Sequence, residues 1–377
     1  MRRPRILAIA ILVNFALGLA SAQSAVDVPK PDLIPPNDAR IAVMGRVDAT
    51  TPSRIRIGYP GVTVRLHFEG TSLAMRAITD TPNNIFLVII DGGAPRSVRF
   101  PAGENELMLA DGLGVGEHSV DIVRQTETWL GVITILGFHL APGGKLLTPN
   151  PWPSRRLMFI GDSVTCAEAL DRSVVGTNDP AAWKKDRATS WNAYNSYGMR
   201  LARTFDAQVH LVCYGGRGLL RDYRDRRDVL NAPQFFDLAV PDEHNAPIWR
   251  HAAYVPDVVV VSVGTNDFTL GIPAFPEREE WVATYVRFVH AIRAVYPVAQ
   301  IVLTDGSLVN DDDPARPQKT VLNNYLREIA SRLADPRVHV FTCRHYPGDP
   351  TDGHPTAEQH AAMARDLEPA IREAVGW

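Results

Sequence analysis

Leu157-Met158-Phe159-Ile160-Gly161-Asp162-Ser163 is a short apolar run that stops at a glycine, an acid and a hydroxyl. Four large apolar residues bounded by turn formers suit a strand covered on both faces, as in a parallel sheet. Similar runs recur at 209–213, 258–263, 301–304 and 338–341, and stretches with helical character lie at 190–203, 277–295, 320–333 and 356–374. Strand and helix alternate through this half. The pattern predicts an α/β domain over 154–377, a parallel sheet with helices on both sides. In such sheets ligands bind beyond the carboxyl ends of the strands, so the loops after these runs are where chemistry is expected.

Upstream the period changes. Segments 53–57, 62–68, 72–78, 85–91, 118–125 and 129–140 are rich in Val, Ile and Phe. Tyr59-Pro60-Gly61, Glu69-Gly70, Pro82-Asn83-Asn84 and Asp91-Gly92-Gly93 punctuate them, as do the glycines between Gly112 and Gly116. Short strands with Gly, Pro and Asn between them predict an antiparallel β-sandwich over 38–144, of jelly-roll type. A stretch rich in Pro and Gly, from Ala141-Pro142-Gly143-Gly144 to Pro151-Trp152-Pro153, reads as the boundary between the halves.

Arg2, Arg3 and Arg5 precede an apolar run over 6–19 that ends in Ala20-Ser21-Ala22. A basic start, a short apolar core and an Ala-x-Ala end are the parts of a signal peptide, predicted here as residues 1–22. The run is short of the roughly 20 residues that a membrane span needs, so no anchor is expected after cleavage. The destination is then the periplasm or the medium. Cleavage would take the net charge of the 377-residue chain from -3 to -6. That balance, with no Lys/Arg cluster long enough to follow phosphates, argues against nucleic-acid binding. An apolar content of 45% excludes a wholly disordered chain. Cys166, Cys213 and Cys343 are an odd set without a Cys-x-x-Cys pair, and read as buried thiols near strand ends.

The strand-end loops carry reactive groups in a particular order. The first apolar run leads into Ser163, the second into Tyr214-Gly215-Gly216-Arg217-Gly218, and the third into Gly264-Thr265-Asn266-Asp267. Asp352-Gly353-His354-Pro355 follows the last. Serine is a weak nucleophile that needs a base, and imidazole exchanges protons near neutrality. A carboxylate fixes the tautomer of that base, so Asp352 is the candidate third member beside Ser163 and His354. A tetrahedral intermediate needs preorganised donors for its oxyanion; Ser163 N–H, Gly216 N–H and the Asn266 amide are the candidates. Taken singly, Gly-Asp-Ser also suits a helix N-cap and Gly-Thr-Asn-Asp a plain turn. Their order at successive strand ends is what points to acyl transfer.

Together these motifs resemble the SGNH (GDSL-type) hydrolase superfamily. The β-domain followed by Gly161-Asp162-Ser163-Val164-Thr165-Cys166 resembles, more narrowly, carbohydrate esterase family 2. Gly45-Arg46, Thr126-Glu127 and Pro256-Asp257 extend the likeness over nearly the whole mature chain. The resemblance implies a three-layer, flavodoxin-like catalytic domain and an exported acetyl esterase acting on xylan-type or glucomannan-type polysaccharides. It places the nucleophile on Ser163, the base on His354, and the oxyanion donors on Ser163, Gly216 and Asn266. It implies neither metal nor cofactor. Two departures stand out. The acid lies two residues before His354 where most of the superfamily has three, and Ala167-Glu168 stands where family 2 usually has Gly and an aromatic.

Trp183, Trp191 and Trp249 lie in long connections, and Trp249 is the candidate sugar platform, with Asp267 a second candidate substrate contact. His360 reads as an ordinary polar residue of the last helix, and Asp311-Asp312-Asp313 as a solvated loop rather than a calcium site. There is no Gly-x-Ser-x-Gly, His-Glu-x-x-His or phosphate loop. The expectation is a serine esterase for acetylated sugars. The alternatives are a lipase or thioesterase of the same superfamily for longer acyl chains, and a carbohydrate-binding protein with weak turnover. The oligomeric state is left open.

Overall fold

A computed structural model describes residues 32–171, 186–242, 247–348 and 352–377. The predicted signal segment 1–22, Trp183 and Thr351 lie outside the described residues.

Residues 32–147 build two packed antiparallel sheets. One contains, in order, β1 (Ala42–Met44), β3 (Thr63–Glu69), β8 (Glu117–Arg124), β5 (Asn84–Ile90) and β6 (Arg96–Phe100), with β10 (Lys145–Leu147) also paired to β3. The other runs β2 (Ile55–Ile57), β9 (Ile133–Leu140), β4 (Leu73–Thr79) and β7 (Gly103–Ala110). Alternation sets the inner faces: Val64, Leu66 and Phe68 of β3 are fully buried while Arg65 and His67 between them are not. The sandwich extends beyond the expected end at 144, because β10 pairs with Phe68 and its neighbours from within the Pro/Gly stretch. It also reaches back before residue 38, through a bridge from Ile34 to Phe138.

The second half is a five-stranded sheet in the order β12 (Ala207–Cys213), β11 (Arg155–Gly161), β13 (Val258–Ser262), β14 (Gln300–Thr304), β15 (Val338–Phe341), with every pair parallel. The order reverses direction beside β11, so the loop leaving β11 opens into the crevice of a doubly wound sheet. The helices are α1 (Tyr197–Thr204), the short α2 (Ala232–Phe235), α3 (Arg278–Val295), α4 (Gln318–Leu333) and α5 (Ala357–Val375). Helix α5 begins with a capping box at Thr356 and Gln359.

One apolar cluster runs through both halves. Ile57, Phe68 and Phe138 of the sandwich belong to the same core as Met158, Val261 and Trp281 of the parallel-sheet half. Buried polar pegs cross the same seam: the Tyr59 hydroxyl donates to the Phe235 carbonyl at 2.7 Å, and Arg46 Nη1 to the Leu238 carbonyl at 3.1 Å. Trp249 packs here. Its ring lies 5.4 Å from the Arg46 guanidinium and edge-on to His210, so the expected sugar platform is an interface residue instead. His360 also departs from its reading. It is fully buried, stacks on Tyr197 and accepts the Tyr197 N–H on Nδ1 at 3.2 Å. Burial holds its imidazole far below the ordinary value, at about 3, so it stays neutral.

Candidate active site

Strand β11 ends at Gly161, where a side chain would lie 2.0 Å from Thr165 Oγ1. The chain then turns tightly. Asp162 Oδ1 accepts the Val164 N–H at 3.1 Å, and the Asp162 and Ser163 carbonyls accept the N–H groups of Cys166 and Glu168 at 3.0 Å each. Burial raises the Asp162 carboxyl to about 6, against the donors around it. Ala167 and Ala169 adopt φ of 60° and 54°, the left-handed region that glycine prefers. A glycine at 167, usual in the resembling family, therefore has a backbone reason.

His354 Nε2 lies 2.9 Å from Ser163 Oγ, although the two residues are 191 positions apart. On its other side, His354 Nδ1 hydrogen-bonds Asp352 Oδ1. The imidazole thus bridges a hydroxyl and a carboxylate. Burial alone would lower its pKa; the Asp352, Glu168 and Asp162 carboxylates outweigh that and hold it above the ordinary histidine value. Ser163, Gly216 and Asn266 line one cleft of about 840 Å³ together with His354 and Asp352. Gly216 has φ +74°. Asn266 Nδ2 donates to the Arg217 carbonyl at 2.9 Å, and it makes only a long 3.5 Å contact with Asp162 Oδ2. Asp267 faces elsewhere. Its buried carboxylate accepts the N–H groups of Leu219 and Leu220 at 2.7 and 2.8 Å, so it fastens the loop after Gly216 instead of touching the cleft. Gly218 must be glycine, because a Cβ there would lie 2.2 Å from Asp267 Oδ2.

Residues 159–362 match the model of the GDSL-like lipase/acylhydrolase family, and residues 43–151 match that of the carbohydrate esterase 2 N-terminal domain. A protein of Cellvibrio japonicus (strain Ueda107) named acetylxylan esterase / glucomannan deacetylase is 38% identical over 341 residues, covering 90% of each chain. The chain belongs to carbohydrate esterase family 2. It is a carboxylic ester hydrolase. A solved family two carbohydrate esterase from Cellvibrio japonicus superposes with a TM-score of 0.84 at 37% identity, covering 92% of this chain and 98% of the other. Another from Clostridium thermocellum, solved with cellohexaose, gives 0.78 at 27% identity over 89% and 99% of the two chains.

Around Ser163 this family 2 esterase assembles residues that no motif announces. Glu168, at the position of the family departure, is buried with Oε2 3.8 Å from His354 Nε2. Arg187 hydrogen-bonds Glu168 and lies 3.6 Å from Asp352 Oδ2, so one guanidinium braces both carboxylates. Among the described residues, Glu168, Asp352 and His354 are the one group of three whose ligand atoms lie within 4.8 Å. Arg187 already supplies their cation, and both His354 nitrogens have partners. The sandwich contributes Trp129, an exposed indole on the cleft wall that meets Trp191 edge-on at 5.7 Å. Tyr223 and Arg224 stand on the same rim, the guanidinium 4.9 Å from the ring centroid.

Cys166 and Cys213 are disulfide-bonded, and Cys343 is a buried free thiol. The sequence leaves open whether any cysteines pair, because spacing does not reveal that the turn after β11 lies against the end of β12.

Proposed function

We propose that this esterase removes O-acetyl groups from plant-type polysaccharides or their sugars through an acetyl-serine intermediate. Ser163 Oγ attacks the acetyl carbonyl carbon while its proton passes to His354 Nε2. The Asp352 carboxylate keeps the Nδ1 proton in place and stabilises the imidazolium. The carbonyl oxygen becomes an oxyanion, and the N–H groups of Ser163 and Gly216 with the Asn266 amide receive it. Collapse of the tetrahedral species breaks the bond to the sugar oxygen, which takes the proton back from His354. Water then attacks the acetyl-serine with the same histidine as base, releasing acetate and restoring Ser163.

The observation that carries this reading is the 2.9 Å contact between His354 and Ser163 at the floor of the shared cleft. Glu168, Arg187 and Asn266 beside the nucleophile favour a short acyl group, because a long chain would have to desolvate charge there. The intact Ser163–His354 contact supports turnover over a purely binding role. Trp129, the exposed indole on the cleft wall, offers a sugar ring its face. Export is supported by the basic-apolar-Ala-x-Ala start and by the Cys166–Cys213 bond, which persists in oxidising compartments. Among the described residues no helix is long and apolar enough to cross a membrane.

The test is acetate release from acetylated xylan, acetylated glucomannan and acetylated monosaccharides, set beside hydrolysis of octanoyl esters. Faster acetyl release from the polymers is expected; preference for octanoyl esters would transfer the enzyme to the lipases.

A further inference from the structure

Glu127 is a fully buried carboxylate that belongs to the sandwich half, yet it bonds the half that carries Ser163. Its Oε2 accepts the Gly215 N–H at 2.6 Å, and its Oε1 accepts Trp191 Nε1–H at 3.1 Å. Gly215 immediately precedes the candidate oxyanion donor Gly216. The approach is so close that a Cβ on Gly215 would lie 2.8 Å from Glu127 Oε1. Position 215 is therefore glycine to admit this carboxylate.

The arm that presents Glu127 is itself fixed. Buried Arg124 donates to the Thr126 carbonyl at 2.7 Å and to Asn84 Oδ1 at 2.6 Å, and it also bonds the Gly131 carbonyl. Beyond Gly216, the Asp267 carboxylate holds Leu219 and Leu220, and the Tyr223 N–H donates to the Gly216 carbonyl at 3.1 Å. The segment 215–221 is thus gripped by one carboxylate at each end, one from each half of the molecule. Between the two grips, Gly216 lines the cleft.

A buried carboxylate is a costly bolt if all it does is join two domains, since apolar packing usually does that as well or better. Burial, followed by the nearby Glu168 charge, pushes the Glu127 carboxyl well up, and the N–H donors oppose this. Such a group is useful where a direction must be set, because a carboxylate fixes a peptide plane and a methyl group does not.

We propose that Glu127 is a positioning residue for the oxyanion site: by holding the Gly215 N–H it sets the direction of the Gly216 N–H. The sandwich is then a working part of the catalytic half. This rests on the reading of Ser163 as nucleophile and Gly216 as oxyanion donor.

The test uses the full-length enzyme and its Glu127→Gln and Glu127→Asp variants. In Glu127→Gln the new amide presents an NH2 to one of two N–H donors, so one bond is lost while size is kept. The expected result is a fall in kcat of roughly 10- to 100-fold, the scale on which small misplacements act, with KM nearly unchanged. Inhibition by methylboronic acid, which forms a tetrahedral anion on a serine oxygen, should weaken in proportion to kcat. An interface bolt would instead lower the melting temperature while leaving kcat and boronate inhibition as in the wild type, and that result overturns the proposal. If Glu127→Gln does not fold, Glu127→Asp decides on the same measurements, since it keeps the carboxyl group and withdraws it from Gly215. Ser163→Ala is the control. Acetate release by Ser163→Ala rejects the underlying mechanism, whereas a dead Ser163→Ala beside a Glu127 variant with wild-type kcat rejects the positioning role alone.

Discussion

Cys166 and Cys213 are joined by a disulfide, their Cα atoms 5.7 Å apart, and the bond ties the turn bearing Ser163 to the strand that delivers Gly216. The loops carrying Ser163 and Gly216, the proposed nucleophile and oxyanion donor, are thereby linked covalently. Glu127 and Asp267 then set the course of the segment between them by hydrogen bonds.

Replacing both cysteines by alanine removes a crosslink across a separation of 47 residues. Loop-closure entropy for that length corresponds to about 4 kcal/mol. Urea unfolding of the double variant should show a loss of that order, with reductant producing the same shift in the wild type. An unchanged midpoint in both experiments would mean the bond carries no stability.

Glu168→Gln removes one of the three carboxylates, with Asp352 and Asp162, that hold the His354 pKa up. The general base must be neutral, so kcat/KM rises with pH as His354 loses its proton. Because the raised value relaxes downward in the variant, the acidic limb of the profile should move to lower pH. A limb that stays in place, or moves upward, would show that Glu168 does not act on the imidazole.

Ala167→Gly places the unhindered residue where φ is 60°. A left-handed alanine costs about 1 kcal/mol, so the variant should gain up to that amount in denaturant unfolding. A clear loss of stability would contradict the strain assigned to this turn.

Trp129→Ala removes the indole from the cleft wall. Loss of a stacking contact worth about 1 kcal/mol should raise KM for acetylated polysaccharide roughly fivefold. The effect on nitrophenyl acetate should be smaller; equal losses on both substrates would argue against a sugar platform.

The parallel sheet was legible because β11, β13 and β14 hold unbroken apolar runs and β12 is apolar from Val209 to Cys213 except for a buried His210, as burial on both faces demands. Ser163, Asn266 and His354 are candidates for a related reason: strand ends are where such a sheet keeps its reactive groups. Strands β6 and β7 escaped notice, since Arg96-Ser97-Val98-Arg99-Phe100 and Gly103-Glu104-Asn105-Glu106 carry polar side chains on a solvated face. Their pairing comes from β5 and β4, not from their own composition. Glu127, Glu168, Arg187 and Trp129 were silent because their contacts with the cleft residues are tertiary. Trp249 is the converse case: its loop leads into the strand ending at Asn266, yet its half-buried ring packs beside Arg46 and His210.

Rapid-quench mass spectrometry on the enzyme mixed with excess acetyl ester bears most directly on the chemistry. An acetyl group should appear, and then disappear with turnover, on the peptide containing Ser163, and the Ser163→Ala variant should release no acetate. Acetate released without any such adduct, or at the wild-type rate by Ser163→Ala, would contradict it.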